Sequence, residues 1–369
     1  SFGTQKEWND WLGSMKALGA DKLFYQWSVR YQTAAAVSWY ASSYAGAPSP
    51  GDYAHYDIAQ EEIHGVRTQS WSKPTSWPGT PSQGGKESIT YLLDAAANNG
   101  MKVWLGLYLC EQDFCSWWSA NDQDDIIDAA DSLAIEHNVL RSIQVAQDLI
   151  DQYGDHPGLG GLYYSIEPAN ISFMHENTRP VLASAIDRVA KAVHVAKPGL
   201  KLAICPFFNV ALSTAQEFAE MWDYILKNSE LDLLMLQDGA GVEPWILTAT
   251  NDQVTEWYRE LNSVAKSNGV EFWGNAELFT NLNDSRANPD LVPSTLEQIK
   301  RQLNTGAPYV DQFVCFAFSY LDPNHDIYNF SSGMLGDRYA ENRAARQALY
   351  DAYKAYYDSN EWEEFETAT

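Results

Sequence analysis

The sequence predicts an α/β chain folded as a (β/α)8 barrel with a long insertion after the second strand. Three observations predict it. Helix-like and strand-like segments alternate along the whole chain. The strand-like runs are short, continuous and apolar, as parallel strands covered on both faces are. No GxGxxG or GxxxxGK[ST] loop follows any of them, so the usual signature of an open nucleotide-binding sheet is missing. Right-handed β/α connections then favour a closed barrel.

The opening SFGT is assigned to the first strand, because the helix-like EWNDWLGSMKALGA that follows has no other partner. KLFYQWSV is the second strand, and SITYLLDAAANNGM leads into KVWLGLYL as the third. NVLRSIQVAQDLIDQYG precedes the fourth, GLGGLYYSIE, and RPVLASAIDRVAKAVHVAKPG the fifth, LKLAICPFFN. STAQEFAEMWDYILKNS precedes the sixth, LDLLMLQDG, and DQVTEWYRELNSVAKSNG the seventh, VEFWGNAELF. STLEQIKRQLNTGAPY precedes the eighth, VDQFVCFAFSYL, and ENRAARQALYDAYKAYY closes the chain as a helix. The helices carry apolar residues at three- and four-residue spacing and stop near Gly or Asn. Residues 1–355 therefore read as one barrel domain and residues 356–369, ending EWEEFETAT, as an acidic tail. The insertion from Tyr31 to Pro81 is rich in Gly, Pro, Ser and Tyr. At about fifty residues it exceeds ordinary loop lengths, which marks a functional loop beside a cleft, with His55, Tyr56, His64 and Trp71 as contributors without assigned roles.

Composition narrows the partners. A chain of 369 residues, 45% hydrophobic, can bury a large core. Its 49 acidic against 24 basic residues give a net charge of −25, which argues against nucleic acid or an anionic membrane surface as partner. A neutral or cationic ligand fits better. With 14 Trp and 21 Tyr the chain is rich in flat amphipathic rings, which suit sugar faces as well as interiors. No apolar run approaches the roughly eighteen residues of a membrane span. Cys110 and Cys115 flank a short loop and could close a small disulfide, whereas Cys205 and Cys315, inside apolar runs, read as buried thiols. No CxxC pair or His cluster accompanies them, so neither a metal nor another cofactor is expected. The chain opens SFGTQKEW without methionine, and the expectation is a monomer exported to the periplasm or outside the cell.

Barrel chemistry sits at the carboxyl ends of the strands. Those ends supply Gln26 and Trp27, Tyr108 and Glu111, Glu167, Phe208 and Asn209, Gln237 and Asp238, Asn275 and Glu277, and Ser319 and Tyr320. The set holds carboxylates, amides and aromatics but no lysine or histidine, so a Schiff base or histidine base has no candidate there. Paired carboxylates with amide and aromatic neighbours are what glycosidic cleavage needs: one protonates the leaving oxygen, the other attacks or supports the anomeric carbon. Each residue also has a plainer role open to it. Glu167 before Pro168 can cap a helix, Glu111 can brace its own loop, Asp238 in QDG can form a turn, and about half of the strand aromatics should be core. Trp27 and Tyr320 are the expected sugar platforms, and His156, at the amino-terminal face, is expected to be structural.

Glutamates ending the fourth and seventh strands resemble the layout of the retaining (β/α)8 glycoside hydrolases. The phrases YGDHPGLGGLYYSIEP, LDLLMLQDG and FWGNAELF are similar to a family of barrel domains regarded as glycoside hydrolases of unknown function. The resemblance spans most of residues 5–355. It implies that Glu167 is the acid/base and Glu277 the nucleophile. One departure stands out: the superfamily commonly has Asn before the fourth-strand glutamate, contacting the sugar 2-hydroxyl, and this chain has Ile166. Asn170, Asn209 or Gln237 would have to replace it.

The expectation is thus a metal-free glycoside hydrolase acting on a poly- or oligosaccharide. Glu277 should stay ionised among amides, and Glu167, beside Tyr164 and Ile166, should have a raised pKa. The competing readings are a non-catalytic carbohydrate-binding barrel serving polysaccharide adhesion or export, and a hydrolase or lyase built on Asp238 or Glu111.

Overall fold

In a computed structural model of the chain, residues 4–26, 28–32, 35–38, 54–63, 66–76, 88–110, 129–283, 290–322 and 339–360 are described. Helix α1 (Gln5–Lys16) opens with a capping box: the Thr4 hydroxyl accepts from the Glu7 N–H, and the Glu7 carboxylate accepts from the Thr4 N–H. The expected first strand lies at residues outside the described set. Strands β1 (Lys22–Tyr25), β2 (Val29–Gln32), β3 (Ala35–Ser38), β4 (Ala54–Ile63) and β5 (Val66–Ser76) follow, then α2 (Ser88–Asn98), β6 (Lys102–Gly106) and β7 (Tyr108–Cys110). After α3 (Ala129–Tyr153) the chain alternates strictly: β8 (Leu159–Tyr163), α4 (Arg179–Ala196), β9 (Leu202–Ile204), α5 (Ala215–Lys227), β10 (Leu233–Gln237), α6 (Thr255–Ser267) and β11 (Glu271–Glu277). A short pair, β12 (Phe279–Asn281) and β13 (Leu291–Pro293), precedes α7 (Leu296–Gly306), β14 (Gln312–Phe316) and α8 (Tyr339–Asp358).

Seven strands form one parallel sheet in the order β1-β6-β8-β9-β10-β11-β14. The side chains show that it curls into a barrel. In a flat sheet β1 and β11, five steps apart, would lie ~24 Å from each other. Instead the Phe24 and Trp273 rings are 6.0 Å apart, and Trp104 stands 6.1 Å from Trp273. Trp104, Tyr163, Ala203, Cys205, Leu233, Met235 and Trp273, with Phe24 and Val314, fill the interior from all seven strands. The glycines of GLGG make room for this: a Cβ on Gly161 would sit 2.4 Å from the Trp104 ring. The opposite faces of the strands bury leucines and isoleucines against the helices in the main core.

Several apolar runs divide more than their composition predicts. KLFYQWSV supplies β1 and β2, and KVWLGLYL breaks at Leu107 into β6 and β7; β2 and β7 then pair in a side sheet with β3. LKLAICPFFN forms a strand only as far as Ile204, because Pro206 lacks the N–H that a ladder needs. The insertion carries an antiparallel hairpin, β4–β5, with Ile63 opposite Val66; His55, Tyr56 and Trp71 lie on its strands, and His64 lies outside the described residues. The last helix continues past residue 356 to Asp358.

His156 behaves as a structural residue, with Nε2 3.1 Å from Asp94 Oδ1 and Nδ1 accepting from the Gly158 N–H. Cys205 is buried as expected. Cys315 is not: it is exposed on β14, the edge strand of the seven. The Cys110–Cys115 bridge falls outside the described residues. No described helix is long and apolar enough to cross a membrane.

Candidate active site

Strand parity decides what reaches the barrel mouth. On β11, Trp273 fills the interior, so Asn275 and Glu277 follow it on the same face, the last at the carboxyl end. On β10, Leu233 and Met235 are interior and Gln237 continues them. On β8 Tyr163 is interior, and Glu167 stands past the strand end, where the next residue, Pro168, keeps its backbone extended. Tyr164 and Ile166 point the other way, into the core against the helices.

Glu167 is half-buried, and burial pushes its carboxyl up to about 7, opposed by a hydrogen bond from Gln237. Gln237 also donates to the Cys205 carbonyl. Glu277 is only 4% exposed. Its Oε2 accepts from the backbone N–H groups of Gly241 (2.7 Å) and Val242 (2.8 Å). Burial, then repulsion by Asp238, push Glu277 up to about 8 against those two amides, and Glu167 repels it further. The two glutamates therefore share one mouth. Gly241 is required there, because a Cβ would lie 2.8 Å from Glu277 Oε2 and 2.6 Å from the Phe279 carbonyl. Asn275, on the same face of β11 as Glu277, is 8% exposed; its Nδ2 donates to Cys205 Sγ, and its Oδ1 accepts from none of the described residues.

The expected asymmetry of the pair is therefore corrected. Glu167 is raised as anticipated, but by its own burial and not by Tyr164 or Ile166. Glu277 is raised too, by its own burial first and then by the buried Asp238 carboxylate beside it.

Other predicted residues divide clearly. Asp238 is 0% exposed, braced by donors from Ala240, Glu277 and Gln302, and so faces protein and not a ligand. Phe208 stacks on Trp257 at 4.1 Å within the helix–sheet core, and Tyr108 is buried in the same core. Tyr320 packs against Phe279 in a separate apolar cluster and is buried, although Glu277 still acts on its phenol. Asn209 and Asn170 are tied to each other, the Asn170 amide donating to the Asn209 carbonyl and accepting from the Asn209 N–H. Gln26 gives its carbonyl to the Ser165 hydroxyl. Trp27 and Glu111 lie outside the described residues.

Three contributors had no sequence signal strong enough to single them out. Cys205 and Gln302 are an interior strand residue and a helix residue among many. Trp245, 38% exposed in the 3-10 turn Pro244–Ile246, is one aromatic of many in the sequence, three residues beyond the Gly241–Val242 cradle. Among the described residues no group of His, Cys, Asp and Glu is placed to hold a metal ion.

A parallel β/α barrel is the fold that the chain shares with solved structures. The chain is similar to a proposed alpha-L-fucosidase from Bacteroides thetaiotaomicron VPI-5482, with 18% identity, 96% of this chain and 87% of that chain covered, and a TM-score of 0.59. It is also similar to a GH113 beta-1,4-mannanase, with 13% identity, coverage of 96% and 93%, and a TM-score of 0.50. A search of curated proteins gives no match. Residues 3–326 match the family described as Domain of unknown function (DUF4434), and the chain belongs to that family.

Proposed function

We propose that the protein is a retaining glycoside hydrolase acting on a poly- or oligosaccharide, with Glu167 as acid/base and Glu277 as nucleophile. One observation carries the reading: carboxylates from the ends of β8 and β11 enter one barrel mouth and repel each other there. A carboxyl raised to about 7 holds its proton near neutral pH and can give it to a leaving oxygen. A carboxylate with one oxygen fixed by two amides leaves its other oxygen to face the anomeric carbon.

The rest of the mouth suits a sugar. Asn275 Oδ1 offers a buried acceptor for a hydroxyl, Gln237 reaches Glu167, and the exposed Trp245 ring offers a platform within about 11 Å of chain from Val242. The net charge of −25 favours a neutral or cationic polysaccharide over an anionic one. An exported monomer is part of the same proposal.

The test is turnover of a polysaccharide and oligosaccharide panel by the protein and by Glu167→Gln and Glu277→Gln. Hydrolysis lost in both variants, with binding kept, supports the reading. Binding without turnover in the unmodified protein supports a carbohydrate-binding barrel instead. A retaining enzyme requires carboxyl groups about 5–5.5 Å apart in a sugar complex.

A further inference from the structure

Asp238 takes no part in the chemistry above, yet it is the most deeply buried carboxylate of the site. Its Oδ1 accepts from the Ala240 N–H at 3.0 Å and from the backbone N–H of Glu277 at 3.4 Å. Its Oδ2 accepts from Gln302 Nε2 at 2.7 Å. Gln302, buried on α7, gives the same nitrogen to the Glu277 carbonyl at 2.9 Å. The segment after β10 thus holds the Glu277 carboxylate through Gly241 and Val242 and its N–H through Asp238, while α7 holds its carbonyl through Gln302.

We propose that Asp238 and Gln302 are positioning residues for Glu277: together they fix its backbone, and the like charge of Asp238 sets the pH at which the Glu277 carboxylate becomes free to react. The inference rests on Glu277 being the nucleophile. The charges around the pair support it. Asp238 and Glu167 act on Glu277, and Cys205, Tyr258 and Tyr320 are the other titratable groups that feel its charge. The charge of Asp238 also raises the Tyr258 phenol and the Cys315 thiol, after their burial. None of these is a cation, so among the described residues the two adjacent buried carboxylates are offset by hydrogen bonds alone, and one proton is retained between them. Asp238 receives three donors, one of them a side-chain amide, while Glu277 receives two on a single oxygen. Burial raises both carboxyls, and the additional donor on Asp238 stabilises its ionised form, so the geometry favours the shared proton on Glu277. Asp238 therefore acts as a buried counter-carboxylate that delays ionisation of the nucleophile.

The titration of Glu277 can be read without any substrate. Carbon-13 labelling of glutamate carboxyls, with the Glu277 resonance assigned by difference from Glu277→Gln, follows its midpoint by NMR in the intact protein. In Asp238→Asn the midpoint falls by about one pH unit or more. Asp238→Ser, which removes the charge with a smaller side chain, gives the same downward shift should the asparagine variant not fold. A midpoint that stays in place in a folded charge-removing variant overturns the proposal. With a hydrolysed substrate in hand, Gln302→Met lowers kcat about tenfold while KM stays within about twofold, and an unchanged kcat removes Gln302 from the assignment. A shifted midpoint in a protein that cleaves no glycoside would sink the hydrolase reading and leave the proton-sharing pair standing.

Discussion

Glu167 and Glu277 are the same side chain at equivalent strand ends, and their surroundings differ in nearly every respect. Glu167 is half-buried, has one side-chain donor in Gln237 and no backbone donor among the described residues, and is raised by loss of water. Glu277 is almost fully buried, rests on two backbone amides and is raised by burial and by a neighbouring negative charge. The lesson is that a raised carboxyl does not by itself identify the acid. Glu167 has the freedom and exposure of a group that exchanges protons with a substrate, whereas Glu277 has the fixation of a group that must meet one atom from one direction.

The largest effect that could break this comparison comes from Glu277→Gln. Loss of the nucleophile should lower kcat by more than about 10⁴-fold, measured on the best glycoside of the panel. Glu167→Gln should cost about 10²–10⁴-fold, and less for a glycoside whose leaving group needs no proton. Equal losses on both kinds of glycoside would remove the acid/base role. The pH dependence carries the next contrast: the active form needs Glu277 ionised and Glu167 protonated, so activity should fall on the acid side as Glu277 takes up a proton and on the alkaline side as Glu167 loses one, and Glu167→Gln should lose the alkaline limb. Trp245→Ala should raise KM by about tenfold with little change in kcat, as loss of one stacking surface of ~1–1.5 kcal/mol implies.

The smallest effect concerns stability. A carboxyl raised in the folded state binds its proton more tightly folded than unfolded, so its contribution is complete below the unfolded value of about 4.3 and is lost as pH rises through the folded one. For Glu277 that window runs up to about 8. Glu277→Gln should therefore melt within a degree or so of the unmodified protein near pH 4.5 and about 2 °C or more above it at pH 8.5, by calorimetry at both pH values. A variant less stable at pH 8.5 would show that the two amides of Gly241 and Val242, and not the burial, dominate the Glu277 environment.

The barrel was legible in the chain because β/α alternation repeats the same signal from α1 to β14, and continuous apolar runs mark doubly covered strands. The strand-end glutamates were legible for the same reason: once a strand is placed, its last polar residue is at the mouth. What was not legible was direction. A run such as LKLAICPFFN is apolar on both faces, so nothing in its composition says that Cys205 points inward and Phe208 outward. Tyr108 was misplaced because the chain interrupts its strand at Leu107 and the parity resets. Asp238 looked like a site carboxylate because it follows a strand, yet a turn carries it behind Glu277, where Gln302 meets it from a helix whose own pattern shows only amphipathicity. Such tertiary hydrogen bonds join residues 64 positions apart and leave no local trace.

The central claim is that Glu277 forms the bond to the sugar. A 2-deoxy-2-fluoro glycoside with an activated leaving group, made for whichever sugar is turned over, would trap the covalent intermediate for peptide mapping by mass spectrometry. The account predicts one adduct, on the peptide containing Glu277, absent from Glu277→Gln and still formed by Glu167→Gln. An adduct on Asp238, Glu167 or any other residue, or turnover that leaves Glu277 unlabelled under trapping conditions, would contradict it.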